Sequence, residues 1–571
     1  MGFGDGGDEG GVIGAGVGEL RALVVRSRDL VLLTAAIGVL TGFSVAIFER
    51  LTIDVGLERV LEAPLWLKAG LPGLGLVLTA LALRFVGPFA TPSTADEYVK
   101  AVPDPDSRFP LRQVPAKVLA SLATLGLGGA GGLEGPSVYM GSAVGVGLFG
   151  PFSRWLRGID RRAALVAGAA AGVEAIFKAP ATGAVFALEV PYQDDLAPRA
   201  VLPALVGAAA GYTSFVLVNG TERLFPASGA SDLVLGDLAV AAVVGLTCGL
   251  GARAFAAVIS AAKWLSAKVS PIPRVAAGAA TMAVLVVASD LWFDVPSLAL
   301  GPGYRSVDFA LDPDRGLWII AALATVRVLA TASTVGGGGV AGLFIPLVVQ
   351  GALTGRLMAG LVNADNQSLW VVVGVAAFLG AGYRVPLAAV MFVAEATGRP
   401  SFVVPGLLAA TGAQLLMGSS SVSAFQRRRK DGHMEQRADL PIEQVLSTDP
   451  ATASSDDSVA LFFTEHVSLA RRKAVPVVDG DGVFQGLVLL NDVLGIEPDE
   501  WPNVTLADVA RRDVPVGRPD WNLGQALRAM IDGEVEHLPV VDARGRLRGV
   551  VTSDAIIDRS RLMDRLEGQG D

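Results

Sequence analysis

The chain has 571 residues, of which 52% are hydrophobic and only 18% charged, with a mean hydropathy of +0.52. That balance is too apolar for an ordinary soluble protein and assigns most of the chain to a lipid bilayer. The net charge of −9 falls largely outside the apolar region, and no basic face suited to nucleic acid is present. Cys248 is the only cysteine, which excludes an intramolecular disulfide and argues against a cysteine metal site.

Residues 1–20 are Gly-rich and acidic and are read as a disordered segment, without the basic-then-apolar start of a cleaved signal peptide. Arg21, Arg26 and Arg28 precede the first apolar run, Leu30 to Phe48. This run, Val201 to Val218 and Leu238 to Val258 are each long enough to cross a bilayer, and their only charge is Arg253. Val114 to Gly150 is instead interrupted by Gly and Pro. Broken, re-entrant helices with protein-enclosed backbone have that pattern. Past residue 425 the chain turns basic, at Arg427-Arg428-Arg429-Lys430. By the positive-inside rule both ends face the cytoplasm, as expected for a multi-pass protein of the cell membrane.

Within this region, 21–425, two passages are copies. Gly131-Gly132-Leu133-Glu134-Gly135-Pro136, followed by Gly141 and Gly145, recurs as Ala341-Gly342-Leu343-Phe344-Ile345-Pro346, followed by Gly351 and Gly355, shifted by 210 residues. Gly168, Pro180, Phe186 and Glu189 recur as Gly374, Pro386, Phe392 and Glu395, shifted by 206. Two related halves follow, 30–217 and 238–425, with a ligand site where they meet. Glu134 is the one acid in the paired glycine motifs. A carboxylate beside a Gly-Pro break at membrane depth is costly, so it is the leading functional candidate. Glu174, Lys178, Arg253, Arg327 and Arg384 are read as ion-pair or vestibule residues, with Lys178 and Arg384 mainly structural.

A basic linker, 426–439, leads to a charged α/β tail, 440–571. Val475-Pro476-Val477-Val478-Asp479 with Gly486 recurs 63 residues later as Leu538-Pro539-Val540-Val541-Asp542 with Gly549. Each copy reads as strand, turn, strand and a helix start, at Asp492 or Asp554. The tail resembles a tandem pair of CBS domains, 440–497 and 503–565. The resemblance implies regulation and, in some members, adenosine-nucleotide binding. Nucleotide binding is expected to be weak or absent here, because Leu489 stands where a hydroxyl belongs and Asp554 comes one residue early after Thr552. His433, His466 and His537 all lie beyond the apolar region and are read as ordinary domain residues.

The membrane region resembles the CLC family of chloride channels and proton/chloride antiporters. That resemblance implies an α-helical polytopic fold with inverted-repeat halves and broken re-entrant helices, in a homodimer with one pore per subunit. Of the three family signatures, the third is complete at Gly342-Leu343-Phe344-Ile345-Pro346. The second is Gly132-Leu133-Glu134-Gly135-Pro136, with leucine replacing the usual cation. The first is degraded to Thr91-Pro92-Ser93-Thr94-Ala95-Asp96-Glu97, with Ser93 at the serine position and Lys117 supporting that register. The implied chloride site comprises Ser93, Gly132, Glu134, Gly135, Gly342, Phe344, Ile345 and Val422, with Glu134 as its gate.

Helix N-termini suit such a site, since unpaired N–H groups and the positive dipole end attract an anion without trapping it. Two departures bear on mechanism. Val190 occupies the position of the family's internal proton-relay glutamate, next to Glu189. Glu189 itself is assigned, with Glu395, to structure. Val422 occupies the position of an inner-gate tyrosine. The resulting expectation is a passive, chloride-selective channel modulated by its tail, with a proton/chloride antiporter as the alternative. No enzymatic activity is expected, and no cofactor beyond the transported chloride. A hard-cation transporter needs acidic clusters, which the glycine motifs do not offer.

Overall fold

The computed structural model describes residues 9–88, 90–104, 109–152, 160–193, 195–197, 200–221, 224–225, 235–364, 366–428, 440–469, 474–533 and 535–559. Residues 1–8 of the opening segment, Arg429, Lys430, His433 and the linker from 429 to 439 therefore lie outside the described residues. From Glu9 the opening segment is helical rather than irregular. Contacts divide the chain into a membrane unit ending at Arg429 and a tail unit beginning at Lys430.

The membrane unit's first half contains α1 (Glu9–Arg50), a π-helical turn, α2 (Glu58–Glu62), α3 (Leu65–Phe85), α4 (Ala95–Ala101), α5 (Val114–Gly126), α6 (Glu134–Phe152), α7 (Arg161–Phe177), α8 (Pro180–Glu189) and α9 (Val201–Asn219). The second half contains α10 (Leu235–Lys268), α11 (Pro271–Trp292), α12 (Tyr304–Leu311), α13 (Leu317–Gly336), α14 (Phe344–Leu361), α15 (Gln367–Tyr383), α16 (Pro386–Thr397) and α17 (Val403–Met417). Among the described residues, eight helices are long and apolar enough to span a bilayer. Others, such as α8 and α16, are too short to do so.

The sequence repeat has a physical counterpart in helix crossings. A Cβ on Gly141 would overlap the Gly168 carbonyl, and one on Gly168 would overlap the Gly141 carbonyl. The same reciprocal exclusion holds for Gly351 and Gly374. Glycine therefore lets α6 cross α7, and α14 cross α15, with backbones in contact, as small residues do between membrane helices. The corners after α7 and α15 also match. Lys178 (φ 51°) and Arg384 (φ 58°) take left-handed caps, each followed two residues on by a proline that opens the next helix. At the other ends, Asp160 and Asn366, 206 residues apart, cap α7 and α15 by accepting the N–H groups of Arg162 and Leu369.

Glu189 and Glu395 show what the second repeat motif is for. Glu189, at the end of α8, accepts the N–H groups of Leu387 (3.2 Å) and Ala388 (2.9 Å) at the start of α16. Glu395 on α16 returns the arrangement, accepting the N–H groups of Ala181 (3.0 Å) and Thr182 (2.7 Å) and the Thr182 hydroxyl at the start of α8. Each carboxylate thus satisfies helix-start donors that lack an intrahelical partner, through charge-assisted bonds across the repeat.

Several intramembrane cations differ from the ion-pair expectation. Arg327 is buried and donates to the carbonyls of Leu298, Leu300, Gly301 and Pro302 at 2.8–3.3 Å. Lys178 donates to the Asn219 carbonyl and Arg253 to that of Leu416. Helix C-termini and loops present carbonyls without partners, and a cation satisfies them without needing a buried acid.

The tail unit repeats a smaller pattern. Strands Ala474–Val478 and Phe484–Leu489 pair antiparallel, and so do His537–Val541 and Leu547–Thr552. Both hairpins carry a register shift at equivalent positions, Val477/Val478 and Val540/Val541. Asp479 caps its turn through the N–H groups of Val483 and Asp481, and Asp542 through those of Arg546 and Arg544. These donors hold both carboxyls below the usual carboxylate range.

Candidate functional site

Glycine breaks start α6 at Glu134 and α14 at Phe344. The segments leading into them run antiparallel: the Gly132 N–H donates to the Gly342 carbonyl (2.9 Å), and the Gly342 N–H to the Gly132 carbonyl (2.7 Å). Each glycine pairs with its own repeat equivalent, as a two-fold axis through the pair requires. Two threonines reinforce the junction reciprocally. Thr124 Oγ1 accepts the Val340 N–H and Thr334 Oγ1 the Ala130 N–H, both at 3.0 Å. These four residues also keep the 210-residue offset, which the sequence reading did not use.

Glu134 lies inside this junction, 2% exposed. Its Oε1 accepts the Phe344 N–H, and the Ile345 N–H faces the same carboxylate. Its Oε2 has no hydrogen-bond partner among the described residues. A Cβ on Gly132 or Gly342 would overlap the carboxylate, so these glycines make its space. The donors of α14's first turn are those an anion would use. Behind the carboxylate, the Phe344 ring packs on Phe177 (4.1 Å between centroids), Phe392 (5.1 Å) and Phe186 (5.4 Å).

In the degraded first signature, the two hydroxyl residues before α4 face different partners. Thr94, not Ser93, immediately precedes α4 and is 4% exposed. Its hydroxyl lies against Gly135, 2.8 Å from where a Cβ there would stand. The Ser93 hydroxyl instead donates to Asp96 at 3.3 Å, and the Ser93 carbonyl accepts Lys117 Nζ at 2.6 Å. Asp96, three residues on, draws the serine hydroxyl to itself.

Val422 is buried, and its N–H donates to the Gly382 carbonyl at 2.9 Å. That contact puts it beside Tyr383, whose ring meets Phe186 edge-on at 5.7 Å. The Tyr383 hydroxyl faces the Leu343 N–H, within electrostatic reach of Glu134 and Asp96. The structure thus groups Glu134 with Gly132, Gly135, Gly342, Phe344 and Ile345. Ser93 and Val422 are joined to a second polar cluster through Asp96, Ser423 and Lys263. Sequence reasoning missed Thr94, Asp96, Tyr383, Lys263 and Ser423. Polar residues inside otherwise apolar surroundings were the available signal for Tyr383 and Lys263.

A family model described as voltage gated chloride channel matches residues 74–418. The chain belongs to the CLC family. A CBS domain model matches residues 506–561, within the second tail repeat. Among solved structures, a CLC-type fluoride/proton antiporter aligns with TM-score 0.62 and 22% identity, over 70% of this chain and 98% of that one. A slow cyanobacterial Cl−/H+ antiporter aligns with TM-score 0.59 and 19% identity, over 68% of this chain and 94% of that one. A eukaryotic CLC transporter aligns with TM-score 0.57 and 18% identity, over 93% of this chain and 98% of that one. At these identities the likeness establishes the shared CLC fold, including the inverted repeat.

Proposed function

We propose that this CLC protein is a chloride-selective channel, conducting passively through one pore per subunit of a homodimer in the cell membrane, with both ends of the membrane unit cytoplasmic. Glu134 is its gate. Phe344 and Ile345 donate to the anion, Gly132, Gly135 and Gly342 give it room, and Ser93 and Val422 line its path toward the inner end. The observation that carries this reading is the commitment of Glu189 to the start of α16, beside an aliphatic, buried Val190. Coupled exchange needs an inner proton carrier, and α8 offers none in the family's position.

The alternative, a proton/chloride antiporter, is favoured by Glu174. It is buried, and neither of its carboxylate oxygens has a hydrogen-bond partner among the described residues. Chloride and proton fluxes recorded together in proteoliposomes separate the two readings. A chloride gradient is expected to move chloride downhill and no protons uphill. Steady uphill proton movement, abolished by Glu174→Gln, would establish the antiporter.

The CBS tail modulates conduction without forming part of the pore, and adenosine nucleotides bind it weakly or not at all. Arg511 grips the Asp492 carboxylate through Nε and Nη2, and Thr552 Oγ1 accepts the Ala555 N–H. The Asp492 carboxylate that would hold a ribose is therefore already engaged by Arg511. Calorimetry with ATP on the full chain is expected to show no binding tighter than about 1 mM, whereas a Kd below about 1 μM would overturn this.

A further inference from the structure

Asp96, on α4, gathers donors from three separate parts of the membrane unit. Ser93 Oγ, just before α4, donates to its Oδ2 at 3.3 Å. Ser423 Oγ, in the segment after α17, donates to its Oδ1 at 2.8 Å. Lys263 Nζ, on α10, stands 3.7 Å from Oδ2 and also donates to the Val422 carbonyl at 3.3 Å. The Asp96 side chain is only 16% exposed, while Lys263 is 39% exposed.

Two hydroxyls and an ammonium converging on one point are what a halide binds, since all three groups donate and the ammonium adds charge. Here a tethered carboxylate holds them. The arrangement repeats at Glu134, where a carboxylate holds donors of α14's first turn. We propose that Asp96 is a second carboxylate gate, occupying an anion site formed by Ser93, Ser423 and Lys263 at the mouth beside Val422. This rests on the reading of the membrane unit as an anion pathway.

The site lies where Val422 leaves the family's inner hydroxyl missing. With the carboxylate in place, α4, α10 and the segment after α17 are tied together and the serine hydroxyls are unavailable to chloride. An anion entering past Lys263 competes with Asp96 for the same donors, so conduction rises as chloride displaces the side chain. The other charged groups around Asp96 do not replace this role. Lys117 is engaged by the Ser93 carbonyl and Glu97, and Lys100 lies over the Phe425 ring at 3.8 Å.

The test is chloride efflux from proteoliposomes carrying the full-length chain, measured against chloride concentration. Asp96→Asn keeps the side chain's size and removes its charge. It is expected to raise flux at low chloride roughly three- to tenfold, the scale of losing one partly exposed ion pair and its hydrogen bonds, with a smaller gain at high chloride. Ser423→Ala, which removes one tie without changing charge, is expected to shift the curve the same way but less. A low-chloride flux in both variants equal to wild type, or lower, overturns the gate. Should Asp96→Asn fail to yield folded protein, the Ser423→Ala curve decides by the same criterion. Glu134→Gln measured in parallel separates the two levels of the argument. Absence of chloride flux in both wild type and Glu134→Gln defeats the anion-pathway reading itself, whereas flux in both with unshifted Asp96→Asn and Ser423→Ala curves defeats only the second gate.

Discussion

Glu134→Gln is expected to leave chloride flux high and almost independent of pH. In the wild type the ionised carboxylate holds the Phe344 N–H and occupies the space that Gly132 and Gly342 leave open. Acid neutralises that carboxylate, weakens its hold on the α14 donors and frees the position for chloride. Wild-type flux should therefore climb as the pH is lowered. Glutamine has the same size but no charge, so it competes poorly with an anion at every pH. Radiotracer or electrode flux measured from about pH 4 to about pH 8 checks this. If the mutant keeps the wild-type profile, the gate is elsewhere.

Arg327→Met is expected to produce the largest loss of stability of any single change considered. The guanidinium is 1% exposed and serves four carbonyls in the loop between α11 and α12. Methionine fills much of the volume but takes the guanidinium donor from the carbonyls of Leu300, Gly301 and Pro302 and leaves that of Leu298 with the Ser306 hydroxyl alone, away from water that could replace it. The cost should be about 3–5 kcal/mol, the range for breaking a buried charged network. Arg253→Met is the control. Among the described residues its side chain makes one bond, to the Leu416 carbonyl at 3.3 Å near the surface, and its loss should cost about 1 kcal/mol or less. Thermal unfolding of the two variants in the same detergent compares them. Equal stability would mean that the loop does not depend on Arg327.

The sequence alone determined the parts of this protein that rest on local pattern. Apolar runs of bilayer length define spanning helices, and Gly-Pro interruptions define where helices break, because both depend on neighbouring residues only. The 210- and 206-residue offsets established two related halves, and Glu134 stood out as the single acid in a motif whose copy has none. The tail's hairpins were legible for the same reason, since a strand, turn and strand are adjacent in the chain.

Tertiary structure decided which side chains meet. The repeat suggests a structural role for Glu189 and Glu395, but only the crossing of α8 and α16 makes each a cap for the other's helix start. Asp96 and Ser423 lie 327 positions apart, and no periodicity links them. The offset that relates repeats describes equivalent positions, not neighbours, so it could not reveal a cluster drawn from α4, α10 and the segment after α17. Nor could it say which of the hydroxyls of Ser93 and Thr94 faces Gly135. A shift of one residue at a helix start turns a different hydroxyl toward Gly135, and the start itself is decided by what the backbone packs against.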